Sequence, residues 1–179
     1  MTRPDAGLTL VGGGRMGSAL AGGWIQSGYE GQIAVHDPKP SDQLKAWEAN
    51  GKIRLNPAPS PAATLVVAVK PHVFGTISDE LKAFVGPDTL VLSIMAGITL
   101  DGLATGLGTP RVARAMPITP GLIGKGMTLL CLPQTASADD ANALHKLLSP
   151  LGDVEGPITE DKISAATAIS GCGPAYGFL

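Results

Sequence analysis

Short runs of apolar and β-branched residues alternate along the chain with longer stretches in which apolar residues recur every three or four positions. Continuous apolar runs of this length are typical of strands buried on both faces, and the spaced positions are typical of helices with one buried face. The predicted strands are residues 8–11, 32–36, 53–55, 64–69, 89–94, 111–115 and 126–132, with a last short strand at Val154. Strands that alternate with helices predict a doubly wound α/β sheet.

Start signals of helices lie where the apolar spacing begins. Ser41 and Thr99 each precede such a stretch and predict N-caps, and Ser137 followed by Asp140 predicts a capping box. The positions expected to face the core are Leu20, Trp24, Ile25, Leu44, Trp47, Val73, Ile77, Leu81, Phe84, Leu144, Leu147 and Leu148.

Three glycines stand between the first strand and the first helix, in the pattern Gly12-x-Gly14-x-x-Gly17. This is the position of a dinucleotide-binding fingerprint. Gly12 permits a tight turn, Gly14 lets a pyrophosphate approach the backbone, and Gly17 lets the helix lie close to its strand. The first turn of that helix then offers free N–H groups to the phosphates. The alternative is a plain strand–helix turn with surplus glycine.

The end of the second strand carries two signals that disagree about the cofactor. Asp37 stands where a carboxylate accepts hydrogen bonds from the adenosine ribose hydroxyls, which favours NAD. Lys39 and Ser41 can instead hold a 2′-phosphate, which favours NADP. A third interpretation is that Asp37 only opens the turn before Pro38. The residues by themselves leave this choice open.

Composition narrows the class of protein. The 179 residues are 44% hydrophobic and 16% charged, with a net charge of -2, which predicts one globular domain or one domain plus a fragment. No basic stretch indicates nucleic acid, and the apolar runs are too short to span a membrane. No signal-peptide pattern precedes the first strand, and Cys131 and Cys172 give no disulfide framework. We therefore expect a cytoplasmic protein.

The sequence offers no certain catalytic residue and no metal site. His36, His72 and His145 lack metal-ligand spacing, and we expect them at the surface or in loops. Cys131 stands in an apolar strand and is expected to be a small core residue. No Ser-His-Asp or paired-carboxylate arrangement is seen in the sequence.

The chain changes character after Gly156-Pro157, which predicts a domain boundary. A new helix is expected from Thr159, with Ile163, Ala166 and Ile169 on one face. Residues 170–174 interrupt it, and a helix restarts at Pro174, a favoured first helical position. Because that helix cannot bury its apolar face before Leu179, we expect the natural protein to continue.

Six phrases then occur in order: GGGRMG at 12–17, AVKP at 68–71, SIMAGI at 93–98, RAMPITP at 114–120, GKGMT at 124–128 and SGCGPAY at 170–176. Together they resemble the pyrroline-5-carboxylate reductase family over nearly the whole chain. The resemblance implies hydride transfer from NADPH or NADH, with NADP slightly favoured, to a cyclic imine in the last step of proline biosynthesis. It also implies a Rossmann domain over residues 1–156 and the start of an all-α dimerisation domain, here truncated, over residues 157–179.

The same resemblance implies the site. The cofactor would lie against the glycine loop and the ends of the central strands, at Gly12, Gly14, Arg15, Met16, Asp37, Lys39, Ala68, Val69, Lys70, Pro71, Ala96, Gly97, Met116 and Pro117. Candidates on the substrate side are Ser170, Gly171, Cys172 and Gly173. The full-length protein would form a homodimer or larger assembly through its helical domain, and its substrate would be pyrroline-5-carboxylate.

Departures from the family pattern affect the site. Ile118 replaces an asparagine near the nicotinamide, and Cys172 replaces a serine. The loop that holds the substrate carboxylate in the family lies beyond residue 179. We therefore expect the 179-residue chain to bind the cofactor and to show little or no turnover.

Two other functions stay open at this point. One is a different Rossmann dehydrogenase with a helical second domain, such as a β-hydroxyacid dehydrogenase. The other is a module that binds NAD(P) without catalysis. Oxidation of NAD(P)H that depends on an imine or a hydroxyacid substrate distinguishes these functions.

Overall fold

The computed structural model describes residues 7–118, 126–163 and 165. Its strands are β1 Leu8–Val11, β2 Ile33–His36, β3 Arg54–Leu55, β4 Thr64–Val67, β5 Leu90–Ser93, β6 Val112–Ile118, β7 Gly126–Cys131 and β8 Gly152–Ile158. They form one sheet in the order β3-β2-β1-β4-β5-β6-β7-β8. The pairs from β3 to β6 are parallel, β7 is antiparallel to β6, and β8 is parallel to β7. The order of the first six strands is that of a doubly wound Rossmann sheet, so the predicted fold class is confirmed.

Five helices connect the strands within these ranges: α1 Arg15–Gln26, α2 Asp42–Ala49, α3 Pro71–Leu81, α4 Leu100–Leu107 and α5 Ala138–Leu148. All three predicted start signals are confirmed. The Ser41 and Thr99 side-chain oxygens accept hydrogen bonds from backbone N–H groups in the first turns of α2 and α4. Ser137 and Asp140 form the reciprocal capping box of α5. Among the described helices, none is long and apolar enough to cross a membrane.

The core has two layers because successive strand side chains point to opposite faces of the sheet. One layer joins Leu10 and other strand residues to Trp24 of α1, Leu44 of α2 and Leu144 of α5. The other joins strand residues to α3 and α4. The Trp24 Nε1–H donates to the Leu147 carbonyl oxygen at 2.7 Å, which ties α1 to α5 across 123 residues of sequence.

The sixth strand runs three residues further than predicted and passes through Pro117. The β5 pairing ends at Ser93 opposite Arg114, so beyond that point β6 pairs on one side only, with β7. Because a proline has no N–H to donate, it is tolerated where a ladder partner is absent on its N–H side.

The fourth and the last strands also differ in length from prediction. The fourth strand ends at Val67 rather than residue 69, since Lys70 already serves as the N-cap of α3. The last strand is longer than the short one expected at Val154, and it includes Gly156 and Pro157. The sheet therefore continues to Ile158, and the division into domains stays a prediction.

Candidate cofactor-binding site

The glycine loop joins β1 to α1 and places its three fingerprint glycines in different environments. Gly12 has a positive φ of 100°, and a Cβ there would lie 2.6 Å from the Ala68 carbonyl oxygen. A Cβ on Gly17 would overlap the Gly12 carbonyl oxygen. A Cβ on Gly14 would meet no described atom within 4 Å. Gly12 and Gly17 are thus required by the turn itself, whereas Gly14 faces open space.

Helix α1 begins at this open position. Gly14 is its N-cap, with an extended backbone and no side chain to occupy the helix end, and the first intrahelical bond runs from Ser18 N–H to the Gly14 carbonyl oxygen at 2.8 Å. The N–H groups of the first turn of a helix have no acceptor within the helix, and the helix dipole favours an anion beside them. No acidic residue lies in that turn. The helix end is therefore suited to a phosphate group.

Asp37 binds the protein backbone with both carboxylate oxygens. Its Oδ2 accepts a hydrogen bond from the Gly13 N–H and its Oδ1 accepts one from the Lys39 N–H, both at 2.7 Å. The Asn56 side chain pairs with the backbone of Asp37 from the other side. The carboxylate therefore braces the glycine loop and opens the turn after β2. The Lys39 side chain is exposed beside it.

The remaining cofactor candidates follow the neighbouring strands. Ala68 donates from its N–H to the Val11 carbonyl oxygen at 2.8 Å, which holds the start of the Ala68–Pro71 segment against the end of β1. Ala96 and Gly97 are exposed after β5, and Gly97 has a φ of 77°. Met116 and Pro117 lie within β6, past the end of its pairing with β5.

All of these segments lie toward the carboxyl ends of the parallel strands, around the β1–β4 neighbours where the strand order reverses. Ligands of open α/β sheets lie at this edge. The predicted substrate-side residues Ser170, Gly171, Cys172 and Gly173, and the side chain of Ile118, lie outside the described residues.

Two charged residues, Arg114 and Glu160, also lie near this edge of the sheet, and sequence reasoning did not assign either of them to the site. The Arg114 side chain on β6 is only 5% exposed, and its NH1 donates to Glu160 Oε1 at 2.6 Å. The same carboxylate oxygen accepts the Leu100 N–H in the first turn of α4 at 2.7 Å. The available signal was an arginine between Ala113 and Ala115 in an otherwise apolar strand.

The other titratable candidates have structural environments. Cys131 is buried as predicted, and burial raises the pKa of its thiol. His72 is exposed on α3, whereas His36 in β2 and His145 in α5 are half-buried and only partly at the surface. Burial lowers the pKa of His36, whose ring lies 4.6 Å from that of Phe84. The described residues contain no cluster of metal ligands.

Comparison with known proteins agrees with this geometry. Residues 8–97 match the family described as NADP oxidoreductase, coenzyme F420-dependent. A pyrroline-5-carboxylate reductase of Escherichia coli is 35% identical in an alignment of 181 positions that covers 96% of this chain. The structure of a pyrroline-5-carboxylate reductase from Coxiella burnetii is 31% identical, with a TM-score of 0.85 over 98% of this chain and 67% of that one. The chain belongs to the pyrroline-5-carboxylate reductase family.

This membership confirms the resemblance carried by the six phrases. A family member from Plasmodium falciparum, whose crystal structure has NADP bound, is 27% identical and superimposes with a TM-score of 0.77 over 99% of this chain. The chain spans 66% of the length of the Escherichia coli reductase that it matches. These matches favour the reductase family over a hydroxyacid dehydrogenase.

Proposed function

We propose that this chain binds NADPH at the glycine loop and supplies the cofactor-binding part of a pyrroline-5-carboxylate reductase. The observation that carries the proposal is the open N-terminus of α1: Gly14 leaves space at a helix end that no acidic residue of the first turn occupies. This end lies at the point where the strand order reverses, where dinucleotides bind in this fold. The family membership supplies the reaction: a cyclic imine, which bears a carboxylate group, is reduced to proline.

The residues of this chain fit the binding and orienting tasks. The first turn of α1 binds the pyrophosphate through its N–H groups. Segments 68–71 and 96–97 and residues Met116 and Pro117 border the same edge and orient the nicotinamide half. The bound cofactor supplies the hydride, so the chain needs no covalent nucleophile. Its task is to position the reacting groups and to exclude water.

The substrate side and the assembly state belong to the same proposal. We propose that Ser170, Gly171, Cys172 and Gly173 face pyrroline-5-carboxylate, as the matching phrase does in the family. We also propose that two copies pair through the helical segment that follows residue 157. The free thiol of buried Cys131 suits a reducing, cytoplasmic location.

A fluorescence titration of the purified chain with NADPH, and separately with NADH, tests cofactor binding. We expect saturable micromolar binding of NADPH, since the phosphate site is preformed. If the chain bound neither NADPH nor NADH, the proposal would be overturned. NADPH oxidation that depends on pyrroline-5-carboxylate, measured on a protein that contains this chain and the family's helical domain, tests the reaction. If NADPH bound but was not oxidised in this way, the protein would be an NADPH-binding module without reductase activity.

Cofactor preference depends on Lys39. Both Asp37 oxygens accept backbone N–H bonds that brace the glycine loop, and the exposed Lys39 ammonium beside them is the group that suits a 2′-phosphate. We predict that Lys39→Ala raises the Kd for NADPH about tenfold, the loss of roughly one charge-assisted hydrogen bond, with the Kd for NADH unchanged.

Lys45→Ala is the matched control, since Lys45 is an exposed lysine of α2 engaged with Asp42. Titrations of the parent and both variants with the two nucleotides give the comparison. A Lys39→Ala chain that loses NADH and NADPH equally would contradict the assignment of Lys39 to the 2′-phosphate.

A further inference from the structure

Glu160 connects two segments that the proposed function assigns to the nicotinamide half of the cofactor. Its carboxylate oxygen accepts the Leu100 N–H at 2.7 Å and the Arg114 NH1 at 2.6 Å. Leu100 begins α4 three residues after Gly97, and Arg114 precedes Met116 by two residues on β6. We call these contacts from Glu160 to Arg114 and Leu100 the Glu160 clamp. The clamp ties the start of α4, which follows the loop containing Gly97, to β6 just before Met116.

The environment of Arg114 makes the clamp rigid. The Arg114 side chain is only 5% exposed, and its guanidinium needs a charged partner because an unpaired buried charge is strongly destabilising. Within the described ranges its Nε has no hydrogen-bond partner, so the Glu160 carboxylate is the contact that neutralises it. Glu160 itself is 34% exposed, so it reaches the buried arginine from the surface.

Glu160 also marks the start of the segment that leads toward residues 170–173. Residues 160–163 are helical, and the Ile163 N–H donates to the Thr159 carbonyl oxygen at 3.3 Å. Since Glu160 contacts Arg114, which pairs with Cys131 across the β6–β7 ladder, this helical start lies against the sheet. One carboxylate therefore joins the segment after β8 to the start of α4 and to β6.

We propose that Glu160, acting through Arg114 and the Leu100 N–H, is a positioning residue that sets the place of the nicotinamide ring in the cofactor site. The proposal rests on the proposed function. It requires that loss of the clamp weakens the hold on the nicotinamide ring and leaves the hold on the phosphates and the adenine half intact.

Two probes separate these halves: NADPH, and 2′-phospho-ADP-ribose, which lacks the nicotinamide ring. Glu160→Gln keeps an acceptor of the same shape and removes the charge. We expect this variant to raise the Kd for NADPH about tenfold and to leave the Kd for 2′-phospho-ADP-ribose unchanged. The exchange rate of the Leu100 amide hydrogen should rise about tenfold as this hydrogen bond opens more often.

The matched control is Glu155→Gln, the same substitution at an exposed position of β8. It should leave both Kd values and the Leu100 exchange rate as in the parent. Arg114→Lys is the second variant, for use if Glu160→Gln does not fold. It keeps the positive charge but replaces the planar guanidinium that binds the carboxylate. It should likewise raise the Kd for NADPH and leave the Kd for 2′-phospho-ADP-ribose unchanged.

The outcomes are distinct. If Glu160→Gln raised the Kd values for both probes equally, the role of Glu160 would be merely structural and the inference would be overturned. Unchanged Kd values for both probes would also overturn it. If the parent chain binds neither probe, the proposed function fails and the role in positioning the nicotinamide fails with it. If the parent binds both and the variant loses NADPH alone, the inference stands.

Discussion

Replacement of Gly14 by alanine is expected to remove NADPH binding while leaving the chain folded. A Cβ at this position meets no described atom within 4 Å, and its backbone φ of -65° is one that alanine adopts freely. The methyl group would project into the space that the proposed pyrophosphate occupies. We expect the Kd for NADPH to rise about a hundredfold, equivalent to about 3 kcal/mol.

Stability should change little. Alanine is a poorer N-cap than glycine, so the free energy of unfolding should fall by less than about 1 kcal/mol. Urea denaturation, followed by the fluorescence of the buried Trp24, measures this quantity on the same samples used for NADPH titration.

Gly75→Ala is the control for Gly14→Ala. Gly75 lies inside α3, and a Cβ there also meets no described atom within 4 Å. This substitution should stabilise the helix by about 1 kcal/mol without any effect on NADPH affinity. If Gly14→Ala bound NADPH as the parent does, the phosphate would not lie against Gly14, and the proposed site would be wrong.

The features that sequence reasoning predicted correctly are determined locally. A cap such as Ser137 with Asp140 needs only four consecutive residues, and the capping box is present in the structure. The continuous apolar run that contains β4 predicted a buried central strand because both faces of a parallel sheet are covered by helices. The same holds for the glycine fingerprint, whose strand and helix flank it within ten residues.

The features that were missed depend on contacts between distant parts of the chain. The strand predicted at residues 111–115 stopped before Pro117, and only the short reach of β5 shows why β6 can continue through it. The bond from the Gly13 N–H to Asp37 spans 24 residues and ties the carboxylate to the glycine loop, a contact that no local pattern indicated. Arg114 and Glu160 are 46 residues apart, and no local pattern pairs them.

Gly17→Ala is expected to lower the stability of the chain, which Gly14→Ala leaves nearly unchanged, although both substitutions add one methyl group to the same fingerprint. A Cβ on Gly17 would overlap the Gly12 carbonyl oxygen and would also lie 3.5 Å from the Ala68 Cβ. The obstructing atom is backbone, and Gly12 cannot move away because its N–H is bonded to the His36 carbonyl oxygen at 2.9 Å. We predict that the free energy of unfolding falls by about 3 kcal/mol, the upper range for overpacking.

The measurement is urea denaturation of Gly17→Ala beside Gly14→Ala and Gly75→Ala, with NADPH titration of each folded variant. Because α1 must shift away from β1 to relieve the overlap, its first turn leaves the phosphate position, and Gly17→Ala should lose affinity as well as stability. Gly14→Ala should lose affinity alone, and Gly75→Ala neither. A Gly17→Ala chain as stable as the parent would mean that α1 does not lie as close to the glycine turn as the structure places it. The fingerprint would then lack the close contact of helix and strand that distinguishes a dinucleotide site from a turn with surplus glycine.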